Sequence, residues 1–410
     1  WSQGQDPRMA QFDFVPGELI VKLSDDIDTQ MTYAADGRAT SDFDIAGYLE
    51  LGTAVLSSKV MFHQRSIASS VVNAERVRRQ NASRSANNPN NGYIPEVPLT
   101  MKNIFVLKLS QGQGQTQGQG DVLTLINQIK DRPGVVYAEP NYNFHIDDFK
   151  LGEVITREEA QAMASTPSTI LNPLTPNDPL YGQQSNITAT NIDDVWGDYT
   201  TGDGSQVIAI LDTGVDYTHP DLEANIWINE AELNGVADFD DDGNGYIDDI
   251  RGWDFINIDN APLDDNMHGT HVAGIAGAVG DNGIGIAGAA WNVKLMPIKV
   301  FQSSGQGNST TIAAGVEYAS NNGATILNMS FGSYAESATL RLALENAYAT
   351  AILVAAAGNN GTAIGPCPGC APMFPAAYSY VLGIEDSSSY SNYDQDGPVF
   401  SNWTSFLLNY

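Results

Sequence analysis

The sequence runs to 410 residues and carries 49 Asp and Glu against 19 Lys and Arg, a formal net charge of −30. Phosphate backbones and anionic lipid surfaces are bound through clusters of Lys and Arg, so this balance argues against nucleic acid and membrane as partners. It fits a soluble, self-repelling surface in an extracellular or high-salt setting. No run of about 18 apolar residues occurs, so no membrane-spanning helix is expected. The length predicts two or more domains.

Residues 1–147 read as a small α+β domain. Gly17–Leu23 and Asn103–Leu109 alternate like half-buried strands. Asp121 is placed as the N-cap of a helix over Val122–Lys130, with Leu123, Ile126 and Ile129 on one face and Pro133-Gly134 at its end. Val135–Tyr142 reads as a last strand. Arg65, Arg76, Arg78, Arg79 and Arg84 read as a solvated helix face, and the Gln-Gly run 111–120 as a flexible loop. Residues 148–175 read as an interdomain linker exposed to proteolysis.

The pattern changes over residues 176–410. Short continuous apolar runs at Val207–Leu211, Val293–Val300, Thr325–Met329, Ile352–Ala356 and Tyr380–Ile384 predict strands buried on both faces. Helical patterns alternate with them at His268–Val279, Thr311–Asn321 and Glu336–Thr350. This alternation predicts an α/β domain with a parallel sheet and helices on both faces, whose ligands gather at the carboxyl ends of the strands.

Several features stand at those strand ends. His268 opens a run of small residues, Gly269-Thr270-His271-Val272-Ala273-Gly274, and is either a base beside a cleft or the first residue of a core helix. Asp212 directly follows a buried strand, where its carboxylate either orients an imidazole or caps a turn. Asn359, after Gly358, either donates to an oxyanion or sits in a left-handed turn. Ser330, Phe331 and Gly332 either receive an extended peptide along their backbone or simply connect strand to helix.

Together these segments are more specific than any one of them. Asp212-Thr213-Gly214, His268–Gly274, Asn328-Met329-Ser330-Phe331-Gly332 and Ala357-Gly358-Asn359 resemble, in order and setting, the subtilisin-like serine proteases, the subtilases. The resemblance covers roughly residues 176–410. It implies a subtilisin-like fold and a serine endopeptidase acting on polypeptides. Asp212 and His268 become two members of an Asp, His, Ser triad, and Asn359 becomes the oxyanion-hole amide. Ser330, Phe331, Gly332 and Gly358 line the substrate cleft.

The family commonly carries an N-terminal prodomain that assists folding and blocks the cleft. Residues 1–147 resemble one of ferredoxin-like fold, with the mature enzyme beginning near Asn177–Tyr181. The resemblance thus implies a secreted, monomeric zymogen whose own prodomain is its intramolecular inhibitor. The family's Gly-Thr-Ser-Met-Ala segment, which bears the nucleophile, is absent from residues 1–410. The expectation is a chain truncated before that serine and inactive by itself. The rival reading is a non-catalytic pseudoprotease or a cleft-binding module.

Two further motifs bear on metals. Asp240, Asp242, Asn244, Tyr246, Asp248 and Asp249 lie in an Asp-rich loop that matches the first nine places of a calcium loop, D-x-D-x-N-G-x-I-D. Structural calcium is expected there, against a merely solvated turn. His268 and His271 are spaced for zinc, but no Glu base accompanies them, and zinc is not expected. Cys367 and Cys370, in a Pro/Gly loop, read as a small disulfide or as two free thiols.

Overall fold

The computed structural model describes residues 13–33, 39–51, 54–62, 100–110, 119–146, 173–359, 363–364, 372–384 and 393–394. The five arginines named above, most of the linker, and Cys367 and Cys370 lie outside the described residues.

The N-terminal unit contains β1 (Phe14–Leu23), α1 (Ile45–Tyr48), β2 (Val55–Val60), β3 (Ile104–Leu109), α2 (Gln119–Ile129) and β4 (Val135–Ile146). Its strands pair antiparallel in the order β4-β1-β3-β2, the βαββαβ connectivity of a ferredoxin-like unit. Helix α2 starts earlier than its apolar pattern suggests. Asp121 therefore lies in the first turn, where its charge favours the helix dipole, and is not the N-cap. Val122, Leu125, Ile126 and Ile129 bury the inner face of α2.

The second unit contributes, in chain order, β5 (Val207–Asp212), β6 (Trp253–Asp254), β7 (Lys294–Lys299), β8 (Gln306–Asn308), β9 (Ile326–Met329), β10 (Phe331–Gly332), β11 (Ile352–Ala356) and β12 (Leu382–Ile384). Its main helices are α3 (His268–Gly277), α4 (Ser309–Asn321) and α5 (Ala338–Ala347). A parallel sheet runs β12-β11-β9-β5-β7-β6. Side chains alternate across it. Ala209 and Leu211 join the core that Ile312, Val316, Leu340 and Leu344 of α4 and α5 complete. Ile210 faces the other way, into a cluster with Val272, Ala273 and Ala276 of α3. Both faces are therefore covered, which is why the strands read as continuous apolar runs. Among the described residues, no helix is long and apolar enough to cross a membrane.

The end of β4 leaves its own sheet and enters the second unit. Asn143, Phe144 and His145 pair antiparallel with Asn308, Gly307 and Gln306 of β8. His145 and Ile146 pair with Gly332 and Phe331 of β10. Phe144 is fully buried, edge-on to Phe331 with ring centroids 6.2 Å apart. One continuous apolar cluster accordingly spans both units.

Candidate active site

Strands β5, β9 and β11 are neighbours and parallel, so the residues that come after each of them collect at one edge of the sheet. Asp212 ends β5, Ser330 comes after β9, and Asn359 comes after β11 and Gly358, whose φ is +98°. His268, at the start of α3, meets that edge: its Nδ1 lies 2.7 Å from Asp212 Oδ1. The two side chains are 2% and 0% exposed. Asp212 Oδ1 also accepts the Thr213 N–H at 2.7 Å. A carboxylate so placed fixes the imidazole tautomer and steadies the imidazolium, and it directs proton exchange to Nε2.

The small residues around His268 make this approach possible. A Cβ on Gly269 would fall 2.0 Å from the Gly214 carbonyl oxygen and 3.0 Å from Asp212 Cβ. Only glycine lets α3 come so near the end of β5. Asp264 organises the segment before the helix. Its Oδ1 accepts from Thr213 Oγ1 at 2.8 Å, and its Oδ2 accepts from the Thr270 N–H and hydroxyl at 2.9 and 2.6 Å. Burial would raise its pKa, but these bonds and that from the Asn266 N–H outweigh it and hold the carboxyl below its usual value. Burial, with help from His268, pushes His271 down to about 4, so it stays neutral.

Ser330 is 1% exposed, and its hydroxyl accepts from Asn328 Nδ2 at 2.9 Å. Phe331 and Gly332 beside it pair along their backbone with β4. Asn359 is 6% exposed.

In the acidic loop the structure gathers a different subset from the sequence motif. Carboxylate oxygens of Glu232, Asp240 and Asp242 all lie within 4.8 Å of one another. Asp249 instead faces inward. It accepts from Asn229 at 2.8 Å, Asn244 at 2.9 Å and the Tyr318 hydroxyl at 2.5 Å, and burial pushes it up to about 7. Asp248 Oδ2 takes the Asp238 N–H at 2.8 Å. The Tyr246 ring packs among Trp253, Phe255 and Tyr318. Asn244 spends its amide on Asp242 and Asp249 and its oxygen on the Tyr246 N–H.

Glu232 was not legible as part of this group, since it precedes the loop and sits on a short helix over Glu230–Leu233. Its carboxylate accepts the N–H groups of Asp241, Asp242 and Asp248, which folds the loop around it. Burial, together with the charge of Asp242, raises the pKa of both Glu232 and Asp240. An all-oxygen set of crowded carboxylates fits a hard divalent cation such as calcium.

The Peptidase_S8 model, described as the subtilase family, matches residues 203–404. The thermophilic serine proteinase of Bacillus sp. (strain AK1) is 33% identical over 282 residues, 67% of this chain and 56% of that protein. Thermitase of Thermoactinomyces vulgaris is 34% identical over 227 residues, 53% of this chain and 70% of that protein. The crystal structure of fervidolysin from Fervidobacterium pennivorans, a keratinolytic enzyme related to subtilisin, aligns with a TM-score of 0.52 at 20% identity. It covers 91% of this chain and 43% of that one, a likeness that shows the fold. The chain thus spans little more than half the length of the Bacillus relative.

Proposed function

Because the chain belongs to the subtilase family, we propose that it carries the acid–base half of a serine endopeptidase made as a secreted zymogen. The observation that carries the reading is the 2.7 Å contact between two buried groups, His268 Nδ1 and Asp212 Oδ1, at the carboxyl edge of the sheet. In this reading His268 Nε2 takes the proton of a serine hydroxyl as that oxygen attacks the peptide carbonyl, then returns it to the leaving amine. Asp212 holds the tautomer, and Asn359 with a backbone N–H stabilises the oxyanion. Residues 1–410 hold no Gly-Thr-Ser-Met-Ala segment, and the reading assigns the nucleophile outside them.

Residues 1–147 act as the prodomain and 176–410 as catalytic domain, with residues 148–175 between them. Support for inhibition comes from β4, whose residues 143–146 lie as an extended strand between β8 and β10. Backbone pairing on both sides is how a cleft would hold a substrate peptide along Phe331 and Gly332. Glu232, Asp240 and Asp242 would hold a calcium ion, which would cross-link the acidic loop to the short helix before it.

The test uses a polypeptide carrying residues 1–410 together with a Gly-Thr-Ser-Met-Ala segment. Hydrolysis of casein is expected, and His268→Ala is expected to abolish it. Hydrolysis that survives this substitution would overturn the assignment. Residues 1–410 by themselves are expected to remain unlabelled by a fluorophosphonate, and specific labelling there would show a nucleophile within them.

A further inference from the structure

Lys299 closes β7, in register with Asp212 on the neighbouring strand. Its side chain is 1% exposed. A buried ammonium is costly unless it is paired and hydrogen-bonded, so its partners say what holds it there. The ammonium donates to two acceptors: the Thr213 carbonyl at 2.5 Å and Asp265 Oδ1 at 2.6 Å. Thr213 is the residue after Asp212, and Asp265 lies three residues before His268. One cation therefore joins the turn that carries the acid to the loop that delivers the base.

The turn needs such a restraint. Thr213 donates its N–H to Asp212 Oδ1, the same oxygen that faces His268 Nδ1. Its carbonyl belongs to the peptide with Gly214, which has φ +103° and no side chain to limit rotation. Lys299 is the group that grips this carbonyl. The loop side needs it as well. Asp264 and Asp265 bring two carboxylates to the segment facing Asp212, and the Lys299 ammonium is the cation paired with one of them. Asp264 makes a parallel tie through Thr213 Oγ1, but it is a carboxylate and adds to the repulsion that the ammonium offsets.

We propose that Lys299 is a positioning residue: by clamping the Thr213 carbonyl to Asp265, it sets the geometry of the Asp212–His268 contact. The proposal rests on reading that contact as an acid–base pair, and its test reads the contact directly rather than through proteolysis. A proton on His268 Nδ1 held by a buried carboxylate gives a far-downfield proton NMR resonance, identified by its disappearance in His268→Ala.

Residues 1–410 are compared with Lys299→Met, which keeps the length of the side chain and removes the ammonium, and with Asp265→Asn. The Asp265 side chain is 49% exposed, so its substitution spares the core. The expected result is loss of the resonance in a Lys299→Met protein that still melts cooperatively, with broadening or an upfield shift in Asp265→Asn. A resonance unchanged in folded Lys299→Met would overturn the proposal. If Lys299→Met does not fold, Asp265→Asn decides, and an unchanged resonance there overturns it equally. Absence of the resonance from the unsubstituted protein would sink the acid–base pair itself, and the proposal with it.

Discussion

Glu139 of β4 reaches across to the N-terminus of α5 and is 6% exposed. Its carboxylate accepts from Ser337 Oγ at 3.1 Å, the Ala338 N–H at 2.7 Å, the Thr339 N–H at 2.9 Å and Thr339 Oγ1 at 2.6 Å. In Glu139→Ala the two hydroxyls keep other contacts, Ser337 with the Leu340 N–H and Thr339 with the Tyr137 hydroxyl. Two backbone N–H groups lose this acceptor, that of Thr339 buried and that of Ala338 part-buried. At about 1–3 kcal/mol for each buried donor left unmade, a loss of about 3 kcal/mol in the docking of the two units is expected. At 1.4 kcal/mol per factor of ten, that is about 150-fold.

Hydrogen exchange of the amides of Ala338 and Thr339 measures it directly, since these amides are protected only while the unit is seated. Exchange should quicken by about two orders of magnitude in Glu139→Ala. Glu139→Gln should cost less, because its amide oxygen still accepts. Exchange at both amides within about threefold of the unsubstituted protein would refute the view that this carboxylate holds the units together.

Calcium should raise the melting temperature of residues 1–410, by the equivalent of about 2.7 kcal/mol at 100 times its dissociation constant, and Glu232→Gln should erase the shift; absence of both binding heat and any effect of chelation would dispose of the site. Gly269→Ala should cost about 1–3 kcal/mol of stability in urea unfolding, because its new methyl meets the Gly214 carbonyl oxygen at 2.0 Å, and an unaltered midpoint would show that α3 has room to move. Glu317 in α4 is 3% exposed and burial pushes it up to about 8 from 4.5. Folding therefore favours its protonated form. The stability it contributes is present below about pH 4.5 and is lost as pH rises to about 8, at up to about 1.4 kcal/mol per pH unit. Glu317→Gln should flatten that slope in urea titrations at pH 5 and 8, and an identical slope would show that Glu317 does not titrate there.

Much of the second unit is legible in the sequence because its sheet is buried on both faces. Ile352–Ala356 is a strand with the bounds its apolar run predicts, and the run Val207–Leu211 needs only Asp212 added to give β5. The small-residue helix after His268 is legible for a related reason, since its run of glycine and alanine marks a helix buried along most of its length. Elements that exist only through a partner were not legible. β8 and β10 are two or three residues long and become strands because β4 lies between them. Nothing in Val135–Tyr142 announces that the strand continues to Ile146 and changes partners. Glu232 escaped the calcium motif because a loop motif counts positions within the loop, whereas the third carboxylate comes from the helix before it. Asp121 looked like a cap because a helix start is the least certain part of any apolar pattern.

The central claim is that Asp212 orients His268 for proton transfer, and Asp212→Asn tests it most directly. The substitution keeps the shape of the side chain but offers the imidazole an amide, which favours the wrong tautomer. In a polypeptide carrying residues 1–410 with a Gly-Thr-Ser-Met-Ala segment, casein turnover should fall by about 10⁴ while the fold, tracked by circular dichroism, stays intact. Turnover within about tenfold of the unsubstituted enzyme would contradict the account, since by the same reasoning the 2.7 Å contact would then have no part in the chemistry.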